Sequence, residues 1–442
     1  MRTPFVVFLG MLAGCGGGVV VTDAGDMPVD AGTDAGTMPD AGTLSDAGCT
    51  GAQLTALEDQ MRAALQATVT DHSFYVELRR PAIDGRIFKH ARNIDGVVDE
   101  NATTQSASTA KMITASVILD VVSNPQLYPG NGKVNGNPLT LDSLARDFLP
   151  DGTGGTFWKT ETGALPATSR LNSVTLRHLL SFSSGLELEA VQGGQPCLGT
   201  PAAVSSHGAC VTRLVTANVP RNLVANAPRT FFYSGSHLSA AALMAVNAAG
   251  VPSWAALFKK YKELHGVFGG VVTPTAPAAV VGPGAFYPFS DVGASPNPAG
   301  AMRYRAGDYA PFLLKLQAGE ILKADTLSQM LSDQTAAAGI AIEFSPLTND
   351  SPAEVWHYGL GNWNECHAAT WTPACATERF SSAGSFGSYP FIDFNKSFPL
   401  IGFVARGGTD TGTGMKGVQV YRSMIDATGT DLALRWAAND CR

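Results

Sequence analysis

The sequence is poor in charged residues and has no cluster of lysine or arginine. Only 15% of its 442 residues are charged, and 30 Lys and Arg stand against 37 Asp and Glu, for a net charge of −7. Proteins that bind nucleic acid usually carry a basic patch, so no nucleic-acid partner is predicted. Hydrophobic residues make up 45% of the chain, which is ample for a large folded body.

Spacings typical of metal sites are missing as well. Neither Cys-x-x-Cys nor His-Glu-x-x-His occurs, and the eight histidines are scattered along the chain. One of them, His237, stands four residues after Tyr233 and could line a cleft with it. The sequence predicts neither a metal nor a cofactor.

No apolar run is long enough to cross a bilayer as a helix, but the N-terminus has the pattern of an export signal. Arg2 precedes an apolar run over residues 5–11, and Leu12-Ala13-Gly14-Cys15 follows. These four residues resemble the lipobox of bacterial lipoproteins. The resemblance implies that residues 1–14 are removed and that acylated Cys15 anchors the protein at the cell envelope, in the periplasm or outer membrane. An ordinary cleaved signal peptide is the alternative.

Residues 15–48 are expected to form a flexible tether. The segment repeats Asp-Ala-Gly at Asp23, Asp30, Asp34, Asp40 and Asp46, and it holds six aspartates with no lysine or arginine. Such a composition cannot bury apolar area and stays disordered. Removing Arg2 changes the net charge from −7 to −8, and removing the six tether aspartates then leaves −2 for residues 49–442. The remaining body is therefore nearly neutral.

Besides Cys15 the chain has six cysteines, an even number that suggests disulfides in an exported protein. Two pairs are close in sequence, Cys197 with Cys210 and Cys366 with Cys375. Pairing them leaves Cys49 with Cys441, which would join the two ends of the body. Free buried thiols are the alternative.

The periodicity of apolar residues predicts an α/β (α+β) fold. Helical spacing covers residues 54–65, 110–122, 238–247, 254–265, 415–425 and 432–438, while residues 74–78 and 398–405 are typical of strands. Strands near both ends with helices between them predict an antiparallel sheet flanked by helices, with an all-helical insertion over about residues 125–350.

A candidate nucleophile stands at the start of the helix over 110–122. Ser108 lies three residues before Lys111, so both would be on one face of its first turn. A neighbouring base must remove the proton of a serine hydroxyl before it attacks, and a lysine can do so only if its pKa is depressed. A Ser-x-x-Lys spacing also arises by chance, so the motif is weak alone.

Three further segments follow Ser-x-x-Lys in the order seen in a known family. They are the leucine-rich stretch of residues 174–186, ending in Ser184-Gly185-Leu186; Tyr233-Ser234-Gly235; and Ser382-Ala383-Gly384-Ser385. Together the four resemble the penicillin-recognising serine hydrolases, and in particular the class C β-lactamase branch. The leucine-rich stretch is expected to be structural.

The resemblance implies roles for individual residues. Tyr233 would share the role of base with Lys111 and return the proton to the leaving group. The N–H groups of Ser108 and Ser385 would form the oxyanion hole, with Gly384 leaving room for substrate. The candidate substrate-contacting positions are Ser108, Gly235, Ser382, Gly384 and Ser385.

Two departures from the family bear on the substrate. Gly235 stands where the family commonly has an amide-binding asparagine, and Ser382 stands where lactamases and D,D-peptidases keep a cation for the substrate carboxylate. The sequence therefore predicts an acyl-serine hydrolase of esterase-like or specialised peptidase type, acting on a small ester, amide or peptide. A β-lactamase or D,D-peptidase is one alternative, and a non-catalytic surface-binding lipoprotein is another.

Overall fold

The computed structural model describes most of residues 48–441. The described ranges are 48–80, 84–187, 206–269, 285–286, 297–300, 302–335, 339–346, 354–377, 379–393, 400–406, 415–425 and 428–441. The predicted signal peptide, Cys15 and the predicted tether up to residue 47 lie outside them.

The described residues form ten α-helices. Their bounds are α1 (Gly51–Thr68), α2 (Ala110–Ser123), α3 (Leu176–Leu180), α4 (His207–Asn218), α5 (Ser236–Ala249), α6 (Trp254–His265), α7 (Ala306–Gln317), α8 (Ala324–Leu331), α9 (Met415–Arg422) and α10 (Leu432–Ala438). All six predicted helices are present, with ends that differ by up to three residues.

Fourteen strands are present among the described residues. Their bounds are β1 (Phe74–Arg80), β2 (Arg86–Arg92), β3 (Thr103–Gln105), β4 (Lys133–Val134), β5 (Asn137–Pro138), β6 (Thr230–Phe232), β7 (Ala285–Phe286), β8 (Met302–Arg305), β9 (Ala341–Phe344), β10 (His357–Tyr358), β11 (Trp363–Glu365), β12 (Arg379–Ser381), β13 (Tyr389–Asp393) and β14 (Leu400–Arg406). Between residues 125 and 350 the strands are short and the longer elements are helices.

The main sheet joins the two ends of the chain. Its seven strands run in the order β10-β11-β12-β13-β14-β1-β2, and every neighbouring pair is antiparallel. The last strand, β14, pairs directly with the first, β1, so that Val76 lies opposite Val404. The predicted antiparallel sheet built from both termini is confirmed.

Local sequence explains where α1 begins and which of its faces is buried. Thr50 and Gln53 form a reciprocal capping box that satisfies backbone N–H groups at the first turn. The apolar stripe that predicted the helix is buried: Leu54, Leu57, Met61 and Leu65. The stripe faces the core, while the opposite side of α1 meets solvent.

Helices α2 and α5 are the centre of the helical region. Nearly every residue of both is buried, including the small residues Ala115 and Ala242. Helices that are buried on all sides pack inside a protein, and these two contact each other closely. The start of α2, with Ser108 just before it, is thereby held between the helical region and the sheet.

Disulfides join the predicted cysteine pairs where both members are described. Cys49 is bonded to Cys441, and Cys366 to Cys375. Cys210 is also disulfide-bonded, and its predicted partner Cys197 lies outside the described residues.

Among the described residues, no single helix is both long and apolar enough to cross a membrane. Helices α5 and α6 reach that length and apolarity only as a pair, and a bend of 68° separates them.

We predict that Cys49–Cys441, which joins the two ends of the body, stabilises the fold more than Cys366–Cys375 does. Replacing both members of Cys49–Cys441 with serine should lower the free energy of unfolding by about 2–5 kcal/mol, because the bond closes a loop of nearly the whole body. The double serine variant of Cys366 and Cys375, which are nine residues apart, should lose less. Urea unfolding measures both, and an equal or reversed order would contradict the prediction.

Candidate active site

Ser108 lies in a tight turn that leads directly into α2. The sequence analysis expected it in the first turn of the helix, whereas the structure places it in a 3₁₀ turn, Ala107–Thr109, just before α2 begins at Ala110. Ala107 has a φ of 41°, a left-handed conformation that costs an L-residue about 1–2 kcal/mol. Such strain persists only where surrounding contacts impose it, and it concentrates at functional sites.

Those contacts come from Gly300 and from Met302, the first residue of β8. The buried hydroxyl of Ser106 donates to the Gly300 carbonyl at 2.9 Å and accepts from the Met302 N–H at 2.9 Å. The N–H of Ser106 also donates to the carbonyl of Met302 at 2.8 Å. Three hydrogen bonds thus fix the residue two positions before Ser108. The sequence analysis did not identify this support, because its partners are almost 200 residues apart.

Lys111 lies beside Ser108, as the spacing predicted. Its Nζ is 3.0 Å from Ser108 Oγ and donates a second hydrogen bond to the Ala299 carbonyl at 2.9 Å. The residue is only 6% exposed. A buried ammonium needs such partners to offset its lost hydration. Its amine is directed at the Ser108 hydroxyl rather than at solvent.

Tyr233 shares this corner of the site. It follows β6, and Lys111 Nζ lies 4.9 Å from the centroid of its ring, within the range of a cation–π contact. The Tyr233 ring stacks on Trp363 with 5.1 Å between centroids and meets Tyr358 edge-on at 6.1 Å. Tyr233, far from Ser108 and Lys111 in sequence, is therefore brought beside the Lys111 amine.

The β10–β11 hairpin supports both Lys111 and Tyr233. Tyr358 and Trp363 face each other across it, and both contact the Tyr233 ring. Its turn includes Gly361, whose φ is 84° and whose N–H donates to the Leu180 carbonyl at 3.0 Å. A Cβ on Gly361 would lie 2.4 Å from Ala115 Cβ and 3.0 Å from the Lys111 carbonyl.

The sequence analysis missed this hairpin. Its strands have only two and three residues, too few to show alternation. The available signal was Gly359 and Gly361 in a turn flanked by Tyr358 and Trp363, which is typical of a tight hairpin.

The turn between β12 and β13 packs on the other side of Ser108. Ser382 is 3% exposed, and its hydroxyl donates to the Ser108 carbonyl at 2.9 Å. A Cβ on Gly384 would lie 2.7 Å from the Ser106 carbonyl oxygen and 2.8 Å from Thr109 Cγ2. Ser385 is exposed at the tip of this turn. The Ser382 hydroxyl is therefore used inside the protein, on the backbone of Ser108 itself.

Two other predicted positions lie where α5 begins. Gly235 is buried and immediately precedes the helix, and it has no side chain to offer a substrate. His237 is in the first turn and is fully buried, so it does not line a cleft, a possibility that the sequence had left open. Its burial lowers its pKa to about 3, so the ring is neutral.

No protein-family model matches the sequence, and no curated protein matches it. Solved structures do match. They include EstCE1, described as a hydrolase with promiscuous acyltransferase activity, with a TM-score of 0.55 and 14% identity over 84% of this chain and 98% of the other.

A D-amino acid amidase from Ochrobactrum anthropi, solved with L-phenylalanine amide, matches with a TM-score of 0.54 and 16% identity over 88% of this chain and 100% of the other. A penicillin-binding protein homologue from Caulobacter crescentus matches with a TM-score of 0.54 and 13% identity over 87% and 98%. The chain has the β-lactamase/transpeptidase-like fold. Identities of this size establish a shared fold, and the predicted fold class is confirmed.

Within this β-lactamase-like fold, we predict that Gly384 cannot carry a side chain without loss of stability. Gly384→Ala should lower the free energy of unfolding by about 1–3 kcal/mol, because the new methyl group overlaps the Ser106 carbonyl. Gly96→Ala is the matched control, since no atom lies within 4 Å of its added Cβ. That variant should be unchanged or slightly more stable in urea unfolding. Equal stability of the two variants would contradict the close approach at Gly384.

Proposed function

We propose that the protein is a serine hydrolase that forms an acyl-enzyme at Ser108. The observation that carries the proposal is the 3.0 Å contact between Ser108 Oγ and the amine of buried Lys111, beside the ring of Tyr233. A serine hydroxyl, a base within hydrogen-bond reach and a second proton-transfer group are what nucleophilic acyl transfer needs.

The reaction follows from this arrangement. With Lys111 as the neutral amine, Ser108 Oγ attacks the acyl carbon while its proton passes to Lys111 Nζ, either directly or through the Tyr233 hydroxyl, which gives its own proton to Lys111 as it accepts that of Ser108. The carbonyl oxygen becomes an oxyanion, for which the N–H groups of Ser108 and Ser385 are the proposed donors. The alcohol or amine leaves with the returned proton, and water then hydrolyses the Ser108 ester to release the acid.

The close packing of Gly384 supports this assignment of the oxyanion donors. The backbone at Gly384 lies against the Ser106–Thr109 turn so closely that a methyl group would not fit. Its neighbour Ser385 is therefore held near the N-terminal side of α2, where N–H groups of a helix start also favour negative charge.

Neutral esters are the proposed substrate class. Ser382 occupies the position where a carboxylate-binding cation would be expected, and its hydroxyl is already bonded to the Ser108 carbonyl. Gly235 offers no amide group to bind a peptide-like substrate. Similar structures include a hydrolase with promiscuous acyltransferase activity and an amidase, and both descriptions agree with acyl transfer.

The proposed location is the bacterial cell envelope, with Cys15 as the lipid anchor. The lipobox-like residues 12–15 and the Asp-Ala-Gly tether support it. Disulfides at Cys49–Cys441 and Cys366–Cys375 agree with an oxidising compartment.

Covalent labelling tests the proposed chemistry. A fluorophosphonate should label the purified protein at Ser108, as identified by mass spectrometry of the adduct, while a labelled penicillin should not. Ser108→Ala should abolish labelling, and Lys111→Met should slow it by at least about 100-fold, because the base is lost.

Lys259→Met is the matched control for the lysine variant. Lys259 is 75% exposed in its side chain and pairs only loosely with Glu263, at 3.9 Å. Its loss should leave labelling unchanged. Labelling by penicillin would instead favour a β-lactamase or D,D-peptidase, and no labelling by either probe would favour a non-catalytic binding protein.

A further inference from the structure

The side chain of His237 closes a loop that begins at Phe232 and includes Tyr233. The histidine lies in the first turn of α5 and is fully buried. Its Nε2 is 3.0 Å from the Phe232 carbonyl oxygen, five residues earlier in the chain. Its Nδ1 is 2.7 Å from Ser184 Oγ, in the loop that follows α3. Both ring nitrogens are therefore engaged.

The partners determine where the proton of the ring lies. A carbonyl oxygen can only accept, so Nε2 carries the hydrogen and donates it to Phe232. Burial keeps the ring neutral, with its pKa lowered to about 3, and Nδ1 therefore accepts the hydrogen of the Ser184 hydroxyl. Ser184 Oγ in turn accepts from the Leu186 N–H at 3.3 Å. The hydrogen bonds run in one direction, from Leu186 through Ser184 and His237 to Phe232.

Phe182 holds the same loop from a second side. Its ring stacks on His237, with 5.0 Å between centroids and 10° between planes, and lies 5.4 Å from the ring of Tyr233. The Phe182 carbonyl accepts the N–H of Phe232 at 2.9 Å. The N–H of Phe232 is thus bonded to Phe182 and its carbonyl to His237. Phe232 is the residue directly before Tyr233, so these two bonds fix the backbone from which Tyr233 projects.

We propose that His237 is a positioning residue for Tyr233: its Nε2–H fixes the Phe232 carbonyl and thereby the direction in which Tyr233 projects over Lys111. The inference rests on the proposed acyl-serine function for its kinetic consequence, but the geometric consequence is independent of it. Packing alone does not require a histidine here, since a phenyl ring would fill the same space against Phe182 without burying two polar nitrogens.

The test compares His237→Phe with His237→Gln in the full chain. His237→Phe keeps an aromatic ring against Phe182 and loses the donor, whereas the glutamine amide can reach the place of Nε2. With a p-nitrophenyl ester, His237→Phe should lower kcat about 10- to 100-fold with KM within about twofold, because Tyr233 is displaced. His237→Gln should recover most of that loss. Equal kcat values for wild type and His237→Phe, or equal losses in both variants, would overturn the inference.

Ser184→Ala is the variant to measure if His237→Phe does not fold. It removes the hydroxyl that holds the ring at Nδ1, which loosens the Nε2–H bond to Phe232, so kcat should fall several-fold with KM unchanged. A wild-type kcat in this variant would then count against the inference.

Crystal structures separate this inference from the proposed function. If the wild-type protein neither hydrolyses esters nor labels at Ser108, the proposed function fails, and the position of Tyr233 still decides the role of His237. The distance from Lys111 Nζ to the Tyr233 ring centroid, 4.9 Å here, should lengthen by about 1 Å when the donor is lost and stay unchanged in His237→Gln. The position of Tyr233 in Ser184→Ala gives the same information if His237→Phe does not fold. An unmoved Tyr233 ring in the donor-loss variant would overturn the inference.

Discussion

The contact between Lys111 and Ser108 is the interaction on which the rest of the site depends. Burying an ammonium costs free energy, and here the amine lies among the Ser108 hydroxyl, the Ala299 carbonyl and the ring of Tyr233. These three contacts hold the amine in place by geometry. The surrounding elements must therefore be fixed closely, and the packing of the molecule serves that need.

Three loops from distant parts of the chain provide this constraint. The β10–β11 turn contacts the backbone of Lys111 through Gly361 and flanks Tyr233 with aromatic rings. The β12–β13 turn contacts the Ser108 turn through Gly384, and the segment before β8 bonds to Ser106. At each glycine an added methyl group would overlap a neighbouring atom. The backbone at both glycines therefore packs directly against the elements that carry Ser108 and Lys111.

The sequence predicted the residues of the candidate site better than the elements that support them. Ser108, Lys111 and Tyr233 belong to motifs with local spacing, and the helices and terminal strands have periods that a single sequence displays. The β10–β11 hairpin was missed because its strands are too short to show a period. The sequence left the placement of His237 open, because its partners, Ser184 and Phe182, come from another segment. The predicted pair of Cys210 involves Cys197, which lies outside the described residues.

Trapping the intermediate tests the central claim most directly. An acid quench during the first turnover of p-nitrophenyl acetate, followed by peptide mass spectrometry, should find the acetyl group on the peptide that contains Ser108. The acetyl group should be absent in Ser108→Ala. Release of p-nitrophenol with no acyl group on Ser108, or with the acyl group on another residue, would contradict an acyl-serine mechanism at this site.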